Sequence, residues 1–125
     1  MRMLEIHLEV SDIERSLKLY SQLIPHSEIR KWADGAAVAL VLEDGSAFGL
    51  WSKGQLGIHN GQGGNHVHFA FEIKPEEFSY YKKLIQDVGL EPLEYEWPMG
   101  HKSIYFFDYD QHQGEFMAAN WFEVE

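Results

Sequence analysis

Residues 66–73 read His66-Val67-His68-Phe69-Ala70-Phe71-Glu72-Ile73. In an extended chain Val67, Phe69, Phe71 and Ile73 fall on one face, and His66, His68, Ala70 and Glu72 on the other. This is a half-buried strand with a polar back. Pro75 suits the first turn of a following helix whose apolar residues are Phe78, Tyr81, Ile85 and Val88, and Gly89 is a natural C-terminal cap. Strands are then expected at about 91–97, 102–107 and 113–121, with turns near Pro98-Met99-Gly100 and from Asp108 to Gln111.

The same order stands upstream. Leu4, Ile6, Leu8 and Val10 alternate with Glu5, His7 and Glu9. Ser11, with Glu14 three residues on, reads as a capping box for a helix carrying Ile13, Leu17, Tyr20 and Ile24 on one face, and Pro25 stops it. Strands at about 26–32, 36–43 and 46–51 follow, separated by Asp34-Gly35 and Asp44-Gly45, both hairpin turn signals. Residues 52–65, rich in glycine and polar side chains, read as a linker or mobile loop. With an offset of about 63 residues, Val10-Ser11-Asp12 lies opposite Ile73-Lys74-Pro75, and Glu5 opposite His68. The expected architecture is α+β: one domain over residues 1–125, made of two βαβββ modules (about 1–51 and 66–125) that form curved, antiparallel or mainly antiparallel sheets around a cleft. The helices cover the apolar faces, so the polar alternate residues line that cleft.

Composition narrows the function. Ten basic against twenty acidic residues give a net charge of −10, a field that repels phosphate backbones and anionic lipid, so neither nucleic acid nor membrane is an expected partner. No apolar run approaches the roughly 18 residues of a membrane span. The absence of cysteine removes thiolate metal sites, disulfides and cysteine nucleophiles, and fits a cytoplasmic protein. The Gly61-Gln62-Gly63-Gly64-Asn65 run lacks the preceding strand and following helix of a phosphate-binding turn, so no nucleotide or flavin is expected.

The polar faces carry the candidate chemistry. Glu5 and His7 point one way on the first strand, His66 and His68 on the fifth, and Gln113, Glu115 and Met117 share a face of the last. Imidazole and carboxylates on such strands suit a divalent cation of borderline character, namely Zn, Mn, Fe, Co or Ni. His7 and His66 are also candidates for a general base, a substitute ligand or polar lining. Trp32, Trp51, Trp97 and Trp121 are candidates to wall an aromatic pocket.

The arrangement resembles the vicinal-oxygen-chelate superfamily, which includes glyoxalase I, extradiol dioxygenases, fosfomycin-modifying enzymes and bleomycin-binding proteins. Residues 8–20, LEVSDIERSLKLY, resemble its strand-to-helix opening. HFAFEI (68–73) resembles its His-hydrophobic-Ala-Phe strand, and SIYFFDYDQHQGEF (103–116) its aromatic strand, Asp-Pro-Asp-Gly turn and terminal Glu. Carried over, the resemblance puts the metal histidine at His68 and the metal glutamate at Glu115. Glu5 falls where the family has its first-strand histidine, and a position near Gly49 corresponds to a fourth ligand that is absent. The turn departs too, with Tyr109 for proline and Gln111 for glycine. Tyr105 lies on the strand that supplies a pocket tyrosine in the fosfomycin enzymes, and the substrate-facing set becomes His66, Tyr105, Trp51 and Trp97, with Glu115 and His7 as proton carriers.

What the resemblance implies is a divalent-metal enzyme on a small oxygen-chelating substrate, by glyoxalase-type isomerisation, by thiol or water addition to an epoxide, or by dioxygenation. It also implies a homodimer, with modules completing a cleft within one chain or by exchange with a second. The chain ends AANWFEVE, without the basic residues that hold a phosphonate in fosfomycin enzymes. The rival from another class is a metal-free binding protein of bleomycin-sequestering type, holding a cationic or planar molecule in an acidic, aromatic cleft.

Overall fold

A computed structural model describes residues 1–54 and 67–119. The chain forms two compact units, Met1–Gly63 and Gly64–Glu125. In the first, β1 (Glu5–Val10) leads into α1 (Ile13–Leu23), followed by β2 (Glu28–Trp32), β3 (Ala37–Val41) and β4 (Ala47–Ser52). The second repeats the order with β5 (His68–Glu72), a 3-10 turn at Pro75–Glu77, α2 (Phe78–Asp87), β6 (Leu93–Glu96), β7 (Lys102–Phe107) and β8 (Gln113–Met117).

Each unit holds a four-stranded sheet, ordered β1-β4-β3-β2 in one and β5-β8-β7-β6 in the other. Wholly antiparallel sheets do not form: β1 pairs with β4, and β5 with β8, in parallel. Connectivity dictates this. The helix returns the chain so that β2 starts in the direction of β1, and two hairpin reversals restore that direction in β4. The remaining pairs, β2–β3, β3–β4, β6–β7 and β7–β8, are antiparallel.

The first helix differs from its expected form at both ends. Asp12, not Ser11, is the N-cap: its carboxylate accepts the Arg15 backbone N–H at 3.1 Å. The buried stripe is Ser16, Leu19, Tyr20 and Leu23, with Ile13 and Leu17 only half-buried. Ser16 has no bulk to hold the helix off the sheet, so the stripe centres on it. Ile24 is buried but stands outside the helix in extended conformation, as a residue preceding proline prefers. Tyr20 packs on Phe48 of β4 with ring centroids 4.8 Å apart.

The second helix follows its sequence closely. Gly89 takes φ +89 and closes a Schellman motif, with its N–H donated to the Gln86 carbonyl and that of Leu90 to the Ile85 carbonyl. Tyr81 and Ile85 are buried, and Tyr81 lies 4.4 Å from the Phe116 ring. The last strand ends at Met117, short of the 113–121 expected from sequence. Gln111 occupies the left-handed region at φ 67, which explains why a glycine is the ordinary residue in turns of this kind.

Strand alternation does the rest. Leu8, Val10, Phe48 and Leu50 pack toward α1, and Phe69, Phe116 and Phe106 form the core beneath α2. The opposite face of each sheet carries the polar residues.

Candidate functional site

In the second unit, strand register gathers His68, Glu115 and Tyr105. Glu115 on β8 stands level with Ala70 on β5 and with Tyr105 on β7. Ala70 leaves space, and His68, one step along the same face, leans into it: its Nε2 lies 2.8 Å from Glu115 Oε1. Against a carboxylate, which only accepts, that nitrogen carries the hydrogen. The side chain of Glu115 is 2% exposed and that of His68 34%. The other carboxylate oxygen, Oε2, is buried with no hydrogen-bond partner. A buried carboxylate with an unsatisfied oxygen is costly, and such a group calls for a proton, a cation or a ligand beside it.

Tyr105 is the third member. Its ring centroid lies 5.8 Å from that of His68. Burial, reinforced by the Glu115 carboxylate, pushes its phenol up to about 12. The hydroxyl therefore keeps its proton through the neutral range and serves as a donor.

The first unit builds a different cluster on the equivalent strands. Gly49 of β4 stands level with His7 of β1, and the His7 ring fills the space above it; a Cβ at Gly49 would sit 2.1 Å from His7 Nδ1. The Trp51 indole donates Nε1–H to His7 Nδ1 at 2.9 Å. Since Nδ1 accepts, the imidazole hydrogen is on Nε2, which faces Glu5 Oε2 at 3.1 Å. Both ring nitrogens of His7 are thus engaged, and in this arrangement neither presents a lone pair to a metal or a substrate proton. Trp32 completes an edge-to-face trio with His7 and Trp51, at centroid separations of 5.7 to 6.2 Å.

The other sequence candidates are placed as follows. Trp97 donates its indole N–H to Ser103 Oγ at 2.9 Å and packs against Met117 and Ala119, a supporting position on the second sheet. His66 and Trp121 lie outside the described residues. Glu5 pairs with His7, and His68 with Glu115. Taken unit by unit, the described residues hold no cluster of three or more His, Asp or Glu side chains placed to share one ion. A groove lined by Ile73, Pro75, Glu77, His101 and Ala118 lies at the far end of β5 from His68, away from this chemistry.

Register also sets the equivalent positions of the two units side by side. Glu5 pairs with Ala47 and His68 with Gln113, so Gly49 is the counterpart of Glu115 and His7 the counterpart of Ala70. The two units exchange bulk: a ring on the first strand over a glycine, or an alanine beside a carboxylate.

Solved structures share the fold. The fosfomycin resistance protein FosX from Listeria monocytogenes matches with a TM-score of 0.76 and 24% identity, over 98% of this chain and 94% of that one. Its Mesorhizobium loti counterpart matches at 0.69 and 20%, over 98% and 94%, and a glyoxalase/dioxygenase from Nostoc punctiforme at 0.72 and 20%, over 93% and 89%. The chain has the vicinal-oxygen-chelate fold. No family model matches the sequence, and no curated protein matches it. One Listeria FosX structure holds Mn(II) and 1S,2S-dihydroxypropylphosphonic acid. Among the described residues no helix is long and apolar enough to cross a membrane.

The donor set fits a divalent cation at the second-unit pair. Two ligands about 2.1 Å from one ion and at right angles to each other are about 3.0 Å apart, and His68 Nε2 and Glu115 Oε1 are separated by 2.8 Å. The orphaned Oε2 supplies a further lone pair.

Proposed function

We propose that this chain is a divalent-metal-dependent enzyme of glyoxalase type, acting on a small substrate with adjacent oxygens. The observation that carries the reading is the buried Glu115 carboxylate, paired to His68 through one oxygen and orphaned at the other. His68 and Glu115 would hold the ion, with Glu5 as the third ligand that the sequence repeat assigns. When bound, a cation in the Zn, Mn, Fe, Co or Ni group supplies Lewis-acid charge for developing oxyanions.

The chain's own groups supply the rest. A neutral His68 with its single hydrogen on Nδ1 would present Nε2 as a ligand. Tyr105, protonated up to about 12, donates to a substrate oxygen or to Glu115. Glu115 is the group placed to take up or return a proton at substrate. His7, with both nitrogens engaged, leaves that task to Glu115.

Within the class, water or thiol addition and glyoxalase-type isomerisation are favoured over dioxygenation, since two carboxylates and one imidazole make a harder site than two imidazoles and one carboxylate. The diol held by Listeria FosX supports the addition branch. A homodimer in the cytoplasm is the proposed setting.

Metal analysis of untagged protein, before and after chelation, tests the reading. Stoichiometric metal lost in His68→Ala and in Glu115→Ala, with turnover of an epoxide or hemithioacetal panel, is expected. A metal-free protein that binds an aromatic cation tightly would replace it with the sequestering reading, which the Trp32–Trp51–His7 trio favours.

A further inference from the structure

We infer that Trp51 and His7 form a positioning relay that fixes the Glu5 carboxylate for cation binding, and that His7 is not itself a ligand. The inference rests on the reading of Glu5 as the first-strand ligand.

The relay runs across two paired strands. Trp51 Nε1–H donates to His7 Nδ1 at 2.9 Å. An indole nitrogen has no acceptor role, so the direction of this bond is fixed by chemistry. It places the sole hydrogen of neutral His7 on Nε2, which meets Glu5 Oε2 at 3.1 Å. The Glu5 side chain is 56% exposed, while His7 is 21% exposed. A free glutamate on an open strand samples several rotamers, and holding one of its oxygens removes much of that freedom before any ion arrives.

Two further features belong to the same device. Gly49 provides the only shape on β4 that admits the ring, since a Cβ there would overlap His7 Nδ1, Cε1 and Cγ. Trp32 packs edge-on to both rings, at 6.2 Å from His7 and 5.7 Å from Trp51. The contact engages Oε2 of Glu5. A histidine whose acceptor nitrogen is capped by an indole and whose other nitrogen is protonated orients a ligand; it does not replace one.

The test combines nitrogen NMR of the imidazoles with Mn(II) titration of the full chain, followed by the loss of free-ion electron resonance. His7 is assigned by its absence in His7→Gln. Wild type is expected to show His7 as the single Nε2–H tautomer, unmoved in form when Mn(II) is replaced by diamagnetic Zn(II). Trp51→Phe keeps the aromatic packing but removes the donor. It is expected to mix the tautomers and to weaken Mn(II) binding about tenfold, within the range for outer-shell partners. Glu5→Gln is expected to weaken Mn(II) binding at least as much while leaving the tautomer intact. An Nδ1–H tautomer in wild type, Zn(II) ligation at a His7 nitrogen, or unchanged Mn(II) affinity in Trp51→Phe would overturn the relay. Absence of Mn(II) and Zn(II) binding in wild type with the Nε2–H tautomer present would instead overturn the metal reading beneath it, and with it any cation-positioning role.

Discussion

Replacing Gly49 by alanine tests whether the His7 ring and the β4 backbone are interlocked as described. The added Cβ would lie 2.1 Å from His7 Nδ1 and 2.4 Å from Cε1, far inside the separation any carbon tolerates. Gly49 is a strand residue without positive φ, so its backbone accepts alanine, and the clash with the ring is the whole penalty. The imidazole must therefore leave. It gives up the Trp51 hydrogen bond and the Glu5 contact, each worth about 1 kcal/mol, and exposes a mostly covered ring. The total is about 2–3 kcal/mol, consistent with the usual cost of overpacking. For a chain of this size that lowers Tm by roughly 10 °C. Urea denaturation followed by tryptophan fluorescence measures it, and a double-mutant cycle isolates the cause. In a His7→Ala background the space is vacant, so Gly49→Ala should cost within about 0.5 kcal/mol of nothing, giving a coupling of about 2 kcal/mol. Equal costs in both backgrounds, or no cost in wild type, would refute the interlock.

At the start of α1, Asp12→Ala is expected to cost about 1 kcal/mol, because its carboxylate accepts the Arg15 backbone N–H; a urea midpoint measures it. Tyr105 is expected to ionise well above the ordinary tyrosine range, near pH 12, in an absorbance titration at the phenolate band, and Tyr105→Phe to remove that step. Because its folded value lies above the ordinary 10, the stability linked to the phenol is intact below pH 10 and is lost as pH rises toward 12. His112 is held above 6.5 by the Asp108 carboxylate 2.8 Å away. Its stabilisation is full below pH 6.5 and fades as pH climbs through the raised value, so Asp108→Asn should lower the imidazole midpoint by NMR and flatten stability between mildly acidic and mildly alkaline pH.

Much of this fold is legible in the alternation of a few strands. Phe69, Ala70 and Phe71 announce which face of β5 is buried, and Gly89 marks where α2 must stop. The parallel β1–β4 and β5–β8 pairings are less visible, because alternation reports which face a residue takes and not which strand lies beside it. The α1 stripe was displaced for a related reason: Ile13 and Leu17 match the helical period, but a small Ser16 permits close approach and the packing centres there. Within the site, Glu115 and His68 follow from alternation and from the family resemblance together. The Trp51–His7 bond was hidden because its partners lie 44 residues apart in sequence. A signal was present nonetheless. Gly49 stands two residues before Trp51 in an otherwise bulky strand, and a strand glycine commonly marks a close approach by another group.

The paired registers also explain why one unit buries charge and the other does not. His7 and Gly49 in the first unit occupy the positions of Ala70 and Glu115 in the second. Where the first strand carries the ring, the fourth has no side chain, and the carboxylate is pushed outward to Glu5, more than half exposed. Where the first strand carries alanine, the fourth can hold a glutamate at 2% exposure, and the imidazole moves to the strand's first residue, His68. At these equivalent strands each unit thus sets an imidazole against a carboxylate, with the burial of the carboxylate reversed. Desolvation makes that reversal consequential. A surface carboxylate such as Glu5 is comfortable in water and costs little to hold, whereas Glu115 with an orphaned oxygen is strongly biased toward taking up positive charge. The net charge of −10 is therefore not spread evenly over solvent-facing groups: Glu115 is buried against His68, whereas Glu5, beside His7, is more than half exposed.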